Sequence, residues 1–262
     1  MQMIGSYVVF FNFIGWLARF HLLDILRMGF GLKKEAHPED EWLSSRTAFW
    51  GTVLGGLGIV LWCHFAGVPF LFSFLVVGAL FLFMLVATRV ICQGGIAYFT
   101  LTAAPMDGLM ALFGPKAFTQ VGLVVSAVIQ KMLFVDLRES LMPSLLHARK
   151  VSDGTSSNRR IFIAIIITLG LGILVSFLAM LALCYKFGIR ELQFDWASRT
   201  TLAVYDNLFN LMEAPVESSQ WIMTFMIVGA ALMLVLVICY HRFYWWPIHP
   251  IGYLTAYSSA MW

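Results

Sequence analysis

Charge is what this sequence has least of. Only 12% of its 262 residues are Asp, Glu, Lys or Arg, about half the share a soluble domain carries. So little charge cannot cover a water-facing surface of this size, which excludes a soluble enzyme and a disordered chain. The 17 basic and 14 acidic residues nearly cancel, to +3, which excludes a polyanion-binding protein. Cysteine is also sparse. Cys63, Cys92, Cys184 and Cys239 share no metal-ligand spacing and lie in or beside apolar runs, as small buried hydrophobes do. The six histidines show no helical pair spacing of the kind that holds haem or metal, and the methionines are scattered. There is no Gly-x-Ser-x-Gly, no His-Glu-x-x-His and no phosphate loop. No enzyme, cofactor or metal site is expected.

What is present is hydrophobicity: 60% of residues, with long uncharged stretches. A bilayer core needs about 20 apolar residues in helical form. Met3–Ala18, Thr47–Phe65, Val68–Thr88, Ile161–Tyr185 and Trp221–Tyr240 meet that need, with Gly67-Val68-Pro69 as a turn and Trp221 and Tyr240 as interfacial anchors. Val90–Gly114 is apolar but broken by Gly94-Gly95, Pro105 and Asp107-Gly108; Ala117–Val135 is apolar except for Gln120, Gln130 and Lys131. The broken segment reads either as an interrupted crossing or as a re-entrant hairpin. Basic residues favour the crossing. Loops Arg19–Arg46 and Asp136–Arg160 carry five Lys/Arg each, whereas Lys186–Gln220 carries three against five acids. The positive-inside rule puts the first two in the cytoplasm, and that parity requires Val90–Gly114 to cross. The expected fold is therefore all-α: a polytopic helical integral membrane protein with about seven crossings, the fourth interrupted, and its N-terminus outside. A retinal protein is excluded, because the last span has no lysine.

Residues 1–240 form the transmembrane region on this reading, and 241–262 open a C-terminal region. The chain stops at Trp262 within another apolar stretch, and reads as part of a longer chain or as one that needs a partner. Leu17–Met28 reads as an amphipathic continuation of the first helix or a surface helix, and a short helix is expected around Thr200–Met212.

Three places offer chemistry. A helix broken inside a membrane is tolerated only within protein or beside a polar cavity, so Arg89, Gln93, Gly94, Gly95 and Tyr98 are candidate substrate contacts; close packing through small residues is the alternative. Intramembrane charges are candidate proton carriers. Asp107, Lys131 and Asp136 fall in this class, although Asp107 equally suits the start of the next helix and Lys131 suits snorkelling to the interface. His249, between Pro247 and Pro250, is a further titratable candidate, or a histidine that satisfies local backbone.

Arg89–Tyr98 (Arg-x-x-x-x-Gly-Gly-Ile-x-Tyr), Leu137–Pro143 (with Arg138, Ser140 and Leu141) and Trp246-Pro-Ile-His-Pro-Ile-Gly-Tyr253 together carry a resemblance. The chain resembles bacterial polytopic membrane proteins of unknown function that are similar to the oligopeptide transporter superfamily, and matches their later part. The resemblance implies a secondary transporter of the bacterial inner membrane, proton-coupled, for peptides or metal chelates. Cys92-Gln93 stand where an acid is expected before the paired glycines. The alternative is a non-transporting accessory or structural subunit of a larger membrane complex. The expected partners are the lipid bilayer, other membrane subunits or the rest of a longer chain, and a second copy as a homo-oligomer; nucleic acid is not among them.

Overall fold

The computed structural model describes residues 1–32, 43–96, 105–114, 117–134, 141–151, 158–188, most of 202–213, and 220–256, without the side chains of 131–134, 151, 158 and 159. Its regular structure across these residues is helical, with no strand among them. The elements are α1 (Gln2–Leu17), α2 (Arg19–Gly29), α3 (Ser45–Phe65), α4 (Phe70–Gly94), α5 (Pro105–Phe113), α6 (Gln120–Phe134), α7 (Leu141–Val151), α8 (Asn158–Phe187), α9 (Gln220–Arg242) and α10 (Pro250–Leu254). The residues described between 202 and 213 are helical too, where the short external helix is expected.

Among the described residues, four helices (α3, α4, α8 and α9) are long and apolar enough to cross a bilayer, and α1 with α2 makes a fifth if the bent pair counts as one span. Three of the seven expected spans fall short of this length among the described residues: α1 alone with 16 residues, α5 with 9 and α6 with 15. α1 and α2 meet at 66°, so α2 leaves the axis of α1 rather than lengthening it. The segment before and within α5 is not one helix. Its first residues, Val90–Gly94, continue α4 without interruption, and Gly95 ends that helix in the left-handed conformation, φ +62°. Among the described residues of the rest of the segment, Pro105–Phe113, 9 residues, is helical. Gly94-Gly95, where the interruption is expected, is the C-terminal boundary of a 25-residue helix, about 37 Å long at 1.5 Å per residue.

The core is built on α4. Val76, Leu80, Phe83, Ala87 and Val90 recur at alternating spacings of four and three and are all buried, which makes one continuous apolar stripe along the helix. Tyr7 of α1 meets it edge-on at Phe83, with ring centroids 5.3 Å apart. α1 also lies directly on α9. A Cβ added to Gly5 would collide with the Met226 carbonyl, and one added to Gly229 with the Gln2 carbonyl, so the two backbones touch where neither helix has a side chain. The buried Ser6 hydroxyl bridges them, donating to Gly229 O at 3.0 Å and Gln2 O at 3.1 Å. This is the small-residue packing that lipid-embedded helices use when no hydrophobic force drives them together.

Residue pairing gives the directions. Gln2 and Gly5 lie at Met226–Ala230, and Phe13 lies at His241, ring centroids 4.9 Å apart. α1 and α9 are therefore parallel. α4 runs the same way, since Tyr7 meets Phe83 and the end of α1 lines one groove with Arg89 and Gln93. The opposite end of this trio is marked by the α3–α4 turn, where Gly67 takes φ +108°. There His64 Nδ1–H donates to Val68 O at 3.1 Å and the Ser73 hydroxyl to the same oxygen at 3.2 Å.

The chain between α4 and α6 returns to that turn end. Phe72 in the first turn of α4 packs on Phe113 (5.8 Å) and Phe118 (4.5 Å). The Thr119 hydroxyl donates to Gly67 O at 2.8 Å. α6 then runs back, placing Gln130 beside the start of α5, where its Oε1 accepts from Met106 N at 2.8 Å. A re-entrant hairpin at the groove end would leave Phe113 and Thr119 near Gly94, whereas they lie at the far end of α4. Parallel first and last long helices require an odd number of passes, which agrees with the parity drawn from the basic loops. α8 stands apart: none of its described residues is buried.

Candidate functional site

The C-terminal ends of α1, α4 and α9 surround a groove of about 210 Å³. Its apolar wall is Phe10, Phe13, Ile14 and Leu17, one stripe on α1. Its polar residues are Arg89 and Gln93 on α4, Tyr240 and His241 on α9, and His249 in the link to α10. No carboxylate lines it among the described residues.

Arg89 and Gln93 are four residues apart, one above the other on the final turns of α4, and both are exposed. His249 reaches the groove because the chain leaves helix at Phe243, and Pro250, at the first position of α10, restricts His249 to the extended backbone of a cap. The residue caps α10: its Nδ1 accepts from Ile251 N at 3.1 Å. That bond fixes the tautomer, since an Nδ1 that accepts leaves the neutral ring's proton on Nε2. His249 Nε2 lies 3.5 Å from Nε2 of the Gln93 amide. In the tautomer that capping sets, both nitrogens are donors, and turning the amide over brings Oε1 to the Nε2–H of His249 and its NH₂ to the other side. Tyr240 lies edge-on to the His249 ring, centroids 4.5 Å apart. Burial, and then the neighbouring His241, push the pKa of His249 below its ordinary value. Both effects favour the neutral ring that capping needs.

His241 is held differently. Its Nδ1–H donates to Val237 O at 3.0 Å, and the ring meets Phe13 and Tyr240. Its Nε2 is therefore an acceptor in the neutral ring.

Three of the residues picked out in the sequence, Arg89, Gln93 and His249, thus converge on one groove. Gly94 and Gly95 end α4 next to it; the position of Gly95 demands left-handed backbone, which glycine adopts without the strain of a Cβ. Gly94 and Gly95 therefore shape the end of α4 beside the groove. Asp107 is not at the groove. It is half-buried in the first turn of α5, where a negative charge complements the helix dipole. Its neighbour Gly108 faces Ile4 at the start of α1, about 20 Å along that helix from Leu17. Lys131 lies on α6, with its side chain outside the described residues, as are Tyr98 and Asp136 entirely. Gln130 satisfies the α5 N-terminus.

The sequence reading missed Tyr240, His241 and the α1 wall as parts of this site. Tyr240 reads as a membrane anchor and α1 as an ordinary span; only packing makes them neighbours.

A family model for a family of unknown function, DUF6785, matches residues 1–262, so the chain belongs to that family. No curated protein and no solved structure matches it.

Proposed function

We propose that this member of a family without known function is a membrane transport protein of the oligopeptide-transporter-like kind, and that the groove at the ends of α1, α4 and α9 is where its solute is held. One observation carries the reading. Two of the motifs behind the resemblance, Arg89–Tyr98 and Trp246–Tyr253, meet through Gln93 and His249, 156 positions apart. Helix ends, glycine-terminated backbone and a few polar side chains facing an opening are what transporters offer a solute. Arg89 and Gln93 are the proposed solute contacts, with a peptide or a metal chelate as the solute class.

The groove end gathers Arg19, Arg27, Arg46, Arg89 and Arg242 among the described residues, with Asp24 as an acid in α2. Under the positive-inside rule this end faces the cytoplasm, the N-terminus lies outside, and the host membrane is a bacterial inner membrane. His249 is the proton-coupling candidate that belongs to this site. The test is uptake by purified full-length protein in proteoliposomes under a pH gradient, with peptides and metal chelates as solutes. Accumulation that Arg89→Gln abolishes supports the reading; no accumulation of any of them overturns it.

A second reading is favoured by α8. A long apolar helix with no buried described residue suits an accessory subunit whose partner, a different chain or a second copy, covers it. Co-migration with other subunits in mild detergent, together with absence of uptake, would favour that reading.

A further inference from the structure

The chemistry of the groove selects one sign of charge. Arg89 presents a planar guanidinium whose N–H groups are all donors. With the Gln93 amide turned over so that Oε1 accepts from the Nε2–H of His249, its NH₂ is the part a ligand meets. These are donors only, and no carboxylate stands beside them among the described lining residues. A cation here would meet the guanidinium and find no counter-charge. An anion would meet a planar fork of donors and a second donor one helical turn away.

The other wall sets the rest of the ligand. Phe10, Phe13, Ile14 and Leu17 present a stripe without a polar side chain. The groove volume, about 210 Å³, exceeds the roughly 150 Å³ cavity that accepts a benzene ring. The site is thus amphipathic, with charge recognition on α4 and apolar surface on α1.

Building on the transport reading, we infer that the groove binds an anion carrying a short apolar arm, its carboxylate or phosphate on the Arg89 guanidinium and the Gln93 amide, its arm along α1. His249 is a positioning residue: it touches no ligand atom in this arrangement and orients the Gln93 amide through its own Nε2–H. Such an anion has two sources, a soluble carboxylate or phosphate ester, or the headgroup region of an anionic lipid, since basic pockets between spans at the cytoplasmic face suit such headgroups.

The experiment uses the full chain in nanodiscs, titrated with hexanoate and with hexylamine, its cationic counterpart of similar length. Empty nanodiscs supply the partitioning background. In phosphatidylcholine discs hexanoate binds and hexylamine does not; Arg89→Gln weakens hexanoate by about tenfold or more, the scale of losing a charged hydrogen-bond partner, while Arg89→Lys retains part of it. Repeating the titration with phosphatidylglycerol in the discs identifies the source. Weakened hexanoate binding assigns the site to an anionic headgroup, and unchanged binding assigns it to a soluble anion. Equal binding of the amine, no binding of hexanoate, or an unaltered Arg89→Gln titration each overturns the inference. The amine comparison needs no variant, so a misfolded mutant does not obscure the result. Anion binding without uptake of any solute would remove the transport reading and leave this one standing. Uptake of cationic solutes without hexanoate binding would do the reverse.

Discussion

Replacing Gly229 with alanine places one methyl group between α1 and α9 and nowhere else. The added Cβ would overlap the backbone carbonyl of Gln2 and crowd Gln2 Cγ at 2.9 Å. A flexible side chain could swing away; a carbonyl within a helix cannot, so the helices must part. Overpacking of this kind costs about 1–3 kcal/mol. Separation also stretches the Ser6 Oγ–Gly229 O bond, now 3.0 Å, and an interhelical bond in a membrane protein is worth about 0.6 kcal/mol on average. The expected loss is thus about 2–4 kcal/mol, and Gly5→Ala, which meets the Met226 carbonyl, should lose a similar amount. The two are not additive, because once the helices have parted the second methyl has room. Thermal unfolding of the purified protein in detergent, at one fixed scan rate, measures this. Gly170→Ala is the control, since nothing lies within 4 Å of a Cβ there. Refutation would be a Gly229→Ala protein as stable as the control, for then α1 and α9 are not in backbone contact.

Three further outcomes follow from single contacts. His249 has its pKa lowered in the folded protein, so the unfolded chain binds its proton first: the stability it contributes is complete above the unfolded value of about 6.5 and is lost as pH falls through that value to the folded pKa. His249→Asn, which keeps a capping side chain that does not titrate, should flatten the melting temperature over that window; an unchanged pH profile would remove His249 from the account. Gln130→Leu should cost about 1–3 kcal/mol by leaving the buried Met106 N–H without the acceptor that now lies at 2.8 Å, read as earlier thermal unfolding, and a neutral result would mean that α5 and α6 are not joined there. Gly95→Ala should destabilise by about 1 kcal/mol because of its φ of +62°, whereas Gly94→Ala, with its nearest neighbour Ile96 Cγ1 at 3.8 Å, should be neutral or slightly stabilising; the reverse order would show that Gly94 rather than Gly95 ends the helix.

Much of the helical plan is legible from one sequence because lipid makes it so. An uncharged run between Thr47 and Thr88 has to be two spans with a turn, and α3 and α4 meet at Gly67–Pro69 as expected. The helix end at Arg89–Gly95 is legible only in part. Paired glycines signal a break, but whether it falls in mid-membrane or at a boundary depends on how far the preceding helix extends, and hydropathy does not distinguish Val90–Cys92 as the end of one span from the beginning of the next. Asp107 illustrates the same limit: an acid in an apolar stretch suits both a proton path and a first helical turn, and the structure places it in the latter position. The Gln93–His249 meeting is not legible at all. It depends on α9 lying parallel to α1 and α4, and the signal for that is the match of Gly5 and Ser6 to Gly229, small residues that in sequence look like any others in an apolar helix.

The parallel arrangement of α1, α4 and α9 is the claim on which groove, orientation and ligand all depend. Cysteine pairs on an otherwise cysteine-free chain test it, joined by a short bis-thiosulfonate reagent in native membranes. Phe13→Cys with His241→Cys, residues whose rings lie 4.9 Å apart, should cross-link efficiently. Phe13→Cys with Trp221→Cys should not, because 20 residues of α9 separate the two positions by about 30 Å. Cross-linking of the Phe13–Trp221 pair in place of the first would mean antiparallel helices and no shared groove.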